Sequence, residues 1–445
     1  MTTRSKTLRH LIGGGWASDF GPTVDVTPDE SGKVIIPHLI DAENVLYKLN
    51  GGFQKIGGTT RVNSTQITSG GSGTVITGLY DYWKQGTAGS PVRRRVLHSD
   101  TRVLSDTDDG SFTTEVFTGL ESLKVVSYST FDDLLIISSD SNTDVPKSWD
   151  QTTAQDLAGS PPNFAFSASH KNRQWAAGVV ANPSKLYYSA NVDPEDWTGS
   201  GSGNIDIDPN DGDIITGIAS HRNELWVFKG PYKGSIHRIT GSSPSDFART
   251  TFINGLGAAW HNGIVSFSND LGFIAHDGTF RSLAATDAFG DFLEASLSRP
   301  IHTWLKDHLN YSRLKNIWTV DDPGNSRIFI TASIDSSTTN NVVLMMDYRF
   351  KPFRWAQWSA IEAGSLNFFE DTSSFKRVLI GGNDGYVRRV DIVDRSIDTL
   401  TAIAAKVTTP YLNYGLPLIF KNISQASIGI APKGNYNATF GWTRD

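Results

Sequence analysis

The chain is 445 residues long, with a formal net charge of −6, 42 glycines, 12 tryptophans, 23 phenylalanines and no cysteine. That length can bury large cores, in two or three domains or in one repeat array. The charge argues against general affinity for nucleic acid, and the missing thiols exclude a disulfide framework, a thiolate metal site and a cysteine nucleophile.

No run approaches the roughly 18 apolar residues that cross a bilayer. Gly13-Gly14-Gly15 follows Leu11-Ile12 too closely to leave room for a signal-peptide core. A soluble, uncleaved chain is expected. Residues 1–33 show no apolar period and read as an extended N-terminal arm or loose lead-in. Ala42 to Leu49, then Asn50-Gly51, then Phe53 to Ile56 is a hairpin pattern that Gly57-Gly58 ends.

From there hairpin units recur at spacings of about 40 to 50 residues, the period of a propeller blade. The first covers about 74–118 and the second about 122–158, around Leu134 to Ile137 and ending on Trp149. The third and fourth fill Arg173 to Ile239, where Trp175, Leu186-Tyr187-Tyr188 and Glu224 to Phe228 are aromatic-rich strands separated by turns. The fifth runs over 258–285, the sixth from Ile317 to Trp358 and the seventh from Ser365 to Val390. One such unit cannot bury its own apolar face, so its neighbours should be copies of it. The fold class expected is all-β: a β-propeller of about six to seven irregular blades over 34–397.

One helix interrupts the rhythm near 298–312. Ser298 is its candidate cap, Pro300 lies in its first turn, and Ile301, Trp304, Leu305 and Leu309 share the face expected to pack on a blade edge. Residues 398–445, with strands expected at Ala402 to Val407, Pro417 to Phe420, Ala426 to Ile430 and Ala438 to Trp442, read as a small C-terminal β-unit outside the blades.

The stretches "AENVLYKLNGGFQKIGG", "LYYSANVDPEDW", "GFIAHDGTFR" and "MMDYRFKPFRWAQW" together resemble the β-propeller tail nozzle, or tail tubular B type, proteins of short-tailed bacteriophages. The resemblance spans about 40–440. It implies a virion tail protein, made in the host bacterial cytoplasm. It further implies a homo-oligomeric ring, a hexamer by family, below the portal and adaptor proteins, with tail fibre or spike as a further neighbour and double-stranded DNA in transit. No membrane span is expected. The chain is short for such relatives, which often carry inserted domains.

Chemical motifs are sparse. Asp206, Asp208, Asp211 and Asp213 alternate through "NIDIDPNDGD", but an EF-hand frame started at Asp206 puts Asp211 where glycine belongs and Gly217 where glutamate belongs. The loop is read as a solvated blade connection, with a structural cation as the alternative. "SDTDDGSFTTEVF" at 105–117 faintly resembles a sialidase Asp-box, a turn stabiliser. Arg93-Arg94-Arg95 alternate faces of one strand and cannot all converge on a glycan. His302 and His308 do not share a helical face, and there is no P-loop, dinucleotide fingerprint or nucleophile elbow. Trp175, Trp226, Phe228, Trp355 and Trp358 lie inside strands and read as core. No catalytic, cofactor-binding or metal-ligating residue is assigned, and no cofactor is expected. The reading is a structural tail protein rather than an enzyme; the alternatives are a propeller adhesin or glycan-binding module, then a glycoside hydrolase.

Overall fold

The computed structural model describes residues 9–20, 23–27, 29–31, 33–85, 91–107, 110–290, 292–370, 376–390, 396–398, 401–414 and 438–441. Seven sheets, each built on an antiparallel meander, follow one another along the chain, and the seven hairpin units read from the sequence are these seven blades. Their innermost strands are Ile76–Lys84, Val126–Phe131, Phe166–His170, Ile214–His221, Ile264–Phe267, Thr319–Asp322 and Ser365–Glu370. Each neighbours the next, and the seventh returns to the first, so the ring is closed.

The turns that start several blades follow directly from side-chain chemistry. Asp132-Asp133, Lys171-Asn172, Arg222-Asn223 and Ser268-Asn269 all have positive φ at both residues, the conformation that tight hairpins require and Asn or Asp tolerates. These turns join the first two strands of blades 2, 3, 4 and 5.

Blades 1 to 4 are regular four-stranded sheets; blades 5 to 7 are not. Blade 5 has three strands, and its open side is covered by the following chain, where Leu297 N–H donates to Phe280 O at 2.8 Å. Blade 7 takes its fourth strand from Thr59–Arg61, which pairs antiparallel with Val387–Val390. That closing strand was not expected from the sequence. It is three residues long, preceded by the Gly57-Gly58 break, and its partner lies more than 300 residues downstream. A charged clasp holds it: the Asp398 carboxylate accepts from Arg61 Nε at 2.7 Å and from Arg388 Nη2 at 2.9 Å.

Described segments from both ends of the chain join the propeller's sheets. Asp41–Glu43 pairs with the outer strand of blade 6, and Lys406–Thr408 pairs with Asp41–Glu43. Ser396–Ile397 and Thr401–Ala402 extend the sheet of blade 7. Tyr411–Leu412 pairs with Thr23–Val24. The loose lead-in expected over 1–33 is corrected at residues 9–20: Trp16 is 2% exposed and packs edge-on to Trp304 at 4.9 Å. Backbone pairing adds to that ring: Arg9–Ile12 runs parallel to Lys33–Ile36, and Ala17 N–H donates to Leu39 O at 2.9 Å, contacts that leave no periodic signal. The hairpin Val45–Tyr47 with Phe53–Lys55 forms as expected around Gly51. The strands expected at Pro417 to Phe420 and Ala426 to Ile430 lie outside the described residues, as does Trp442; residues 438–441 form no strand.

The expected helix is real but shorter. A 3-10 turn, Arg299–Ile301, leads into the helix His302–His308, and a second 3-10 turn covers Tyr311–Asn316. Ile301, Leu305 and Leu309 are buried as the face pattern required. Ser298 does not cap the helix; its Oγ accepts from Phe280 N–H at 2.9 Å and so serves blade 5 instead. A second helix, Leu283–Phe289, was not expected and is capped by Ser282, whose side chain accepts from Ala285 N–H. The largest core cluster joins blades 5, 6 and 7 to the N-terminal segment through Trp16, Tyr47, Phe280, Leu305, Met345 and Trp355.

Candidate functional site

The four aspartates of the 206–213 stretch meet four different surroundings. Asp206 is exposed on the outer strand of blade 3, opposite Lys185. Asp208 pairs with Arg249 and lies 3.5 Å from His237 Nε2. Burial raises the Asp208 carboxyl, but the Arg249 guanidinium overcomes this and holds it below the usual range. Asp211 Oδ2 is 2.7 Å from Lys229 Nζ. Asp213 is 4% exposed and accepts from the backbone N–H groups of Tyr232, Lys233 and Gly234 at 2.7, 3.0 and 2.7 Å, fixing the next turn of blade 4. No group of three or more His, Asp or Glu side chains with metal-holding geometry occurs among the described residues.

Sequence reasoning passed over Lys229, the cation at the centre of this loop. Its signal was a lysine ending the apolar run Leu225-Trp226-Val227-Phe228, a place where a charge needs a partner.

The arginine run behaves as strand alternation dictates. Arg93 and Arg95 lie on one face, over the Phe369 ring of blade 7, where Asp81 and Asp106 hold them. Arg94 points the other way and donates to Arg93 O. In the Asp-box-like segment, Asp106 also accepts from Gly110 N–H at 2.8 Å, a turn-stabilising role. Trp175, Trp226, Phe228, Trp355 and Trp358 are all buried, in agreement with the core reading.

Among the histidines, His170 bonds across from blade 3 to Ser220 of blade 4 at 2.8 Å. His98, His170, His237 and His261 are each pushed down to about 4, chiefly by burial. His237 is contacted by Ser235 Oγ at 2.8 Å on Nε2, the same nitrogen that faces Asp208. A serine hydrolase needs its carboxylate on Nδ1, so this trio is not a catalytic triad. His302 and His308 do not converge; His308 Nδ1 pairs with Asp335 at 3.0 Å. Asp321, on the innermost strand of blade 6, is raised to about 6 by burial, against a 3.0 Å hydrogen bond from Tyr348 Oη.

One mouth of the ring is crossed by side chains. The turn His261–Gly263 precedes blade 5, and Asn262 Nδ2 reaches the Val126 carbonyl of blade 2 at 3.0 Å. The turn Tyr311–Asn316 precedes blade 6, and Lys315 Nζ reaches Asp140 of blade 2 at 2.7 Å. Blade 2 lies opposite blades 5 and 6 in a seven-membered ring, so these bonds span the axis.

No family model and no curated protein matches the chain. Among solved structures, "YCF48 bound to D1 peptide" is 11% identical, covering 73% of this chain and 95% of that one, with a TM-score of 0.42. YCF48 from Cyanidioschyzon merolae is 11% identical, covering 73% of this chain and 98% of that one, with a TM-score of 0.40.

Proposed function

We propose that this propeller is a wall subunit of a short-tailed phage's tail nozzle, several copies of which surround the path of the genome. The observation that supports it most is the apolar surface left uncovered. Phe20, Ile35, Leu49 and Phe53 of the N-terminal segment are 59%, 54%, 75% and 44% exposed, and Leu123, Phe289 and Phe292 elsewhere on the molecule are 89%, 60% and 69% exposed. Apolar surface gathered into one patch marks contact with another protein, and rotationally related copies joined head to tail close into a ring. The bonds across the propeller axis agree with this. Duplex DNA has no way through one subunit, so a conduit has to lie between copies. A wall that conducts DNA must also avoid holding phosphate, which the chain's negative charge favours.

Virions assembled without this chain provide the test. The proposal expects particles that fail to retain or eject their genome. Normal retention and ejection would overturn it, and saccharide-dependent stabilisation of the purified chain would favour a glycan-binding module instead.

A further inference from the structure

The loop from Ile207 to Asp213 carries the chain from the outer strand of blade 3 to the innermost strand of blade 4. Lys229, on the strand Glu224–Gly230, is 0% exposed, and its ammonium lies inside this loop. Nζ is 2.8 Å from Ile207 O, 2.8 Å from Asp208 O and 2.7 Å from Asp211 Oδ2, with Ser184 Oγ at 3.4 Å. Two backbone carbonyls, a carboxylate and a hydroxyl converging on one point are the donor set of a cation site. In this protein a side chain supplies the cation.

We propose that the 207–213 loop is a monovalent-cation site whose occupant is tethered through Lys229. Once that ammonium is removed, the site takes ammonium or potassium from solution. The spacing selects the ion. Calcium draws its oxygens to roughly 2.3–2.6 Å, whereas the three close oxygens here stand at 2.7–2.8 Å from Nζ, a fit for an ion of ammonium or potassium size. A single carboxylate neutralises one charge and leaves a divalent ion under-compensated. Asp211 is the point of entry, because its side chain remains 27% exposed while Lys229 is sealed. The tether accounts for a carboxylate-rich loop that departs from the calcium pattern: its local charge is already met from within.

Lys229→Ala removes the ammonium and leaves room in the cradle, whereas Lys229→Met fills that room with an apolar stem. Thermal unfolding of the intact chain and both variants is compared in ammonium, potassium, calcium and tetramethylammonium chlorides at equal ionic strength. The expected result is that ammonium and potassium raise the Lys229→Ala midpoint above its value in tetramethylammonium by about 1–3 °C, as a native-state ligand does. Calcium should do less, and neither Lys229→Met nor the unaltered chain should respond to the choice of cation. If Lys229→Ala does not fold in tetramethylammonium, refolding yield in each salt is the readout, with recovery in ammonium or potassium expected. Identical behaviour in all four salts, failure to fold in any of them, or an equal response from the unaltered chain would overturn the proposal.

Discussion

Between blades 2 and 3 the innermost strands meet through hydroxyls and an amide. Ser129 Oγ and Ser167 Oγ are 2.7 Å apart, Gln174 Nε2 donates to Ser129 Oγ at 2.7 Å, and Ser169 Oγ donates to Thr130 O at 2.6 Å. Around blades 5 and 6 the contacts are aromatic: Phe267 packs on Phe280 and Tyr348, and Phe280 packs on Trp355. On the regular side such directional bonds, in which every member needs its partner, add to apolar clusters that join blade 1 to 2, 2 to 3 and 3 to 4. The irregular side is held by apolar volume shared with the helix and the N-terminal segment, which stand in for missing strands. A blade can thus lose regularity if the chain ends supply enough surface to bury.

This contrast orders the expected damage. Trp355 is 1% exposed in the largest cluster, so Trp355→Ala should destabilise by about 3–5 kcal/mol. A shifted urea midpoint is the measurement, and near-native stability would mean that the apolar side collapses around the gap. On the polar side, Ser129→Ala removes the acceptor of the buried Gln174 amide. Its cost should be about 1–3 kcal/mol; a change within error would show that this network positions the blades without stabilising them.

Acid should act through the buried histidines as well. A histidine held at about 4 in the fold but at about 6.5 when unfolded gains protons on unfolding between those values. Stability from His98, His170, His237 and His261 is therefore full above about 6.5 and is lost as pH falls toward 4. Thermal midpoints followed from pH 7.5 to 4.5 should fall, and His170→Gln should flatten the curve; an identical slope in that variant would remove His170 from the account. Asp321 has the opposite sign. Its folded value of about 6 lies above the unfolded one, so its contribution grows as pH falls from about 6 toward 4. Asp321→Asn keeps an acceptor for Tyr348 and should raise the midpoint slightly at pH 7 but not at pH 4. A drop at pH 7 would show that the charged carboxylate is needed.

The two sides also differed in how much the sequence disclosed. Blades 2 to 5 announce themselves through short turns such as Asp132-Asp133 and Arg222-Asn223 between aromatic or β-branched strands, all local signals. The irregular side depends on distant partners. Thr59–Arg61 completes blade 7 with strands beyond residue 380, and Trp16 finds Trp304 across the molecule; neither carries a local pattern. Ser298 fitted a cap by position, yet the neighbouring blade recruited its hydroxyl. Within the candidate site the aspartate spacing was legible, while its meaning lay in Lys229, about twenty residues away on another strand.

The most direct test of the proposed nozzle role is electron microscopy of the purified chain, alone and with the portal and adaptor proteins that the proposal pairs it with. The account predicts closed rings with rotational symmetry, six-fold by the tail-nozzle resemblance, with a central opening between copies rather than through any propeller. Isolated discs that neither associate with one another nor bind the adaptor would contradict it.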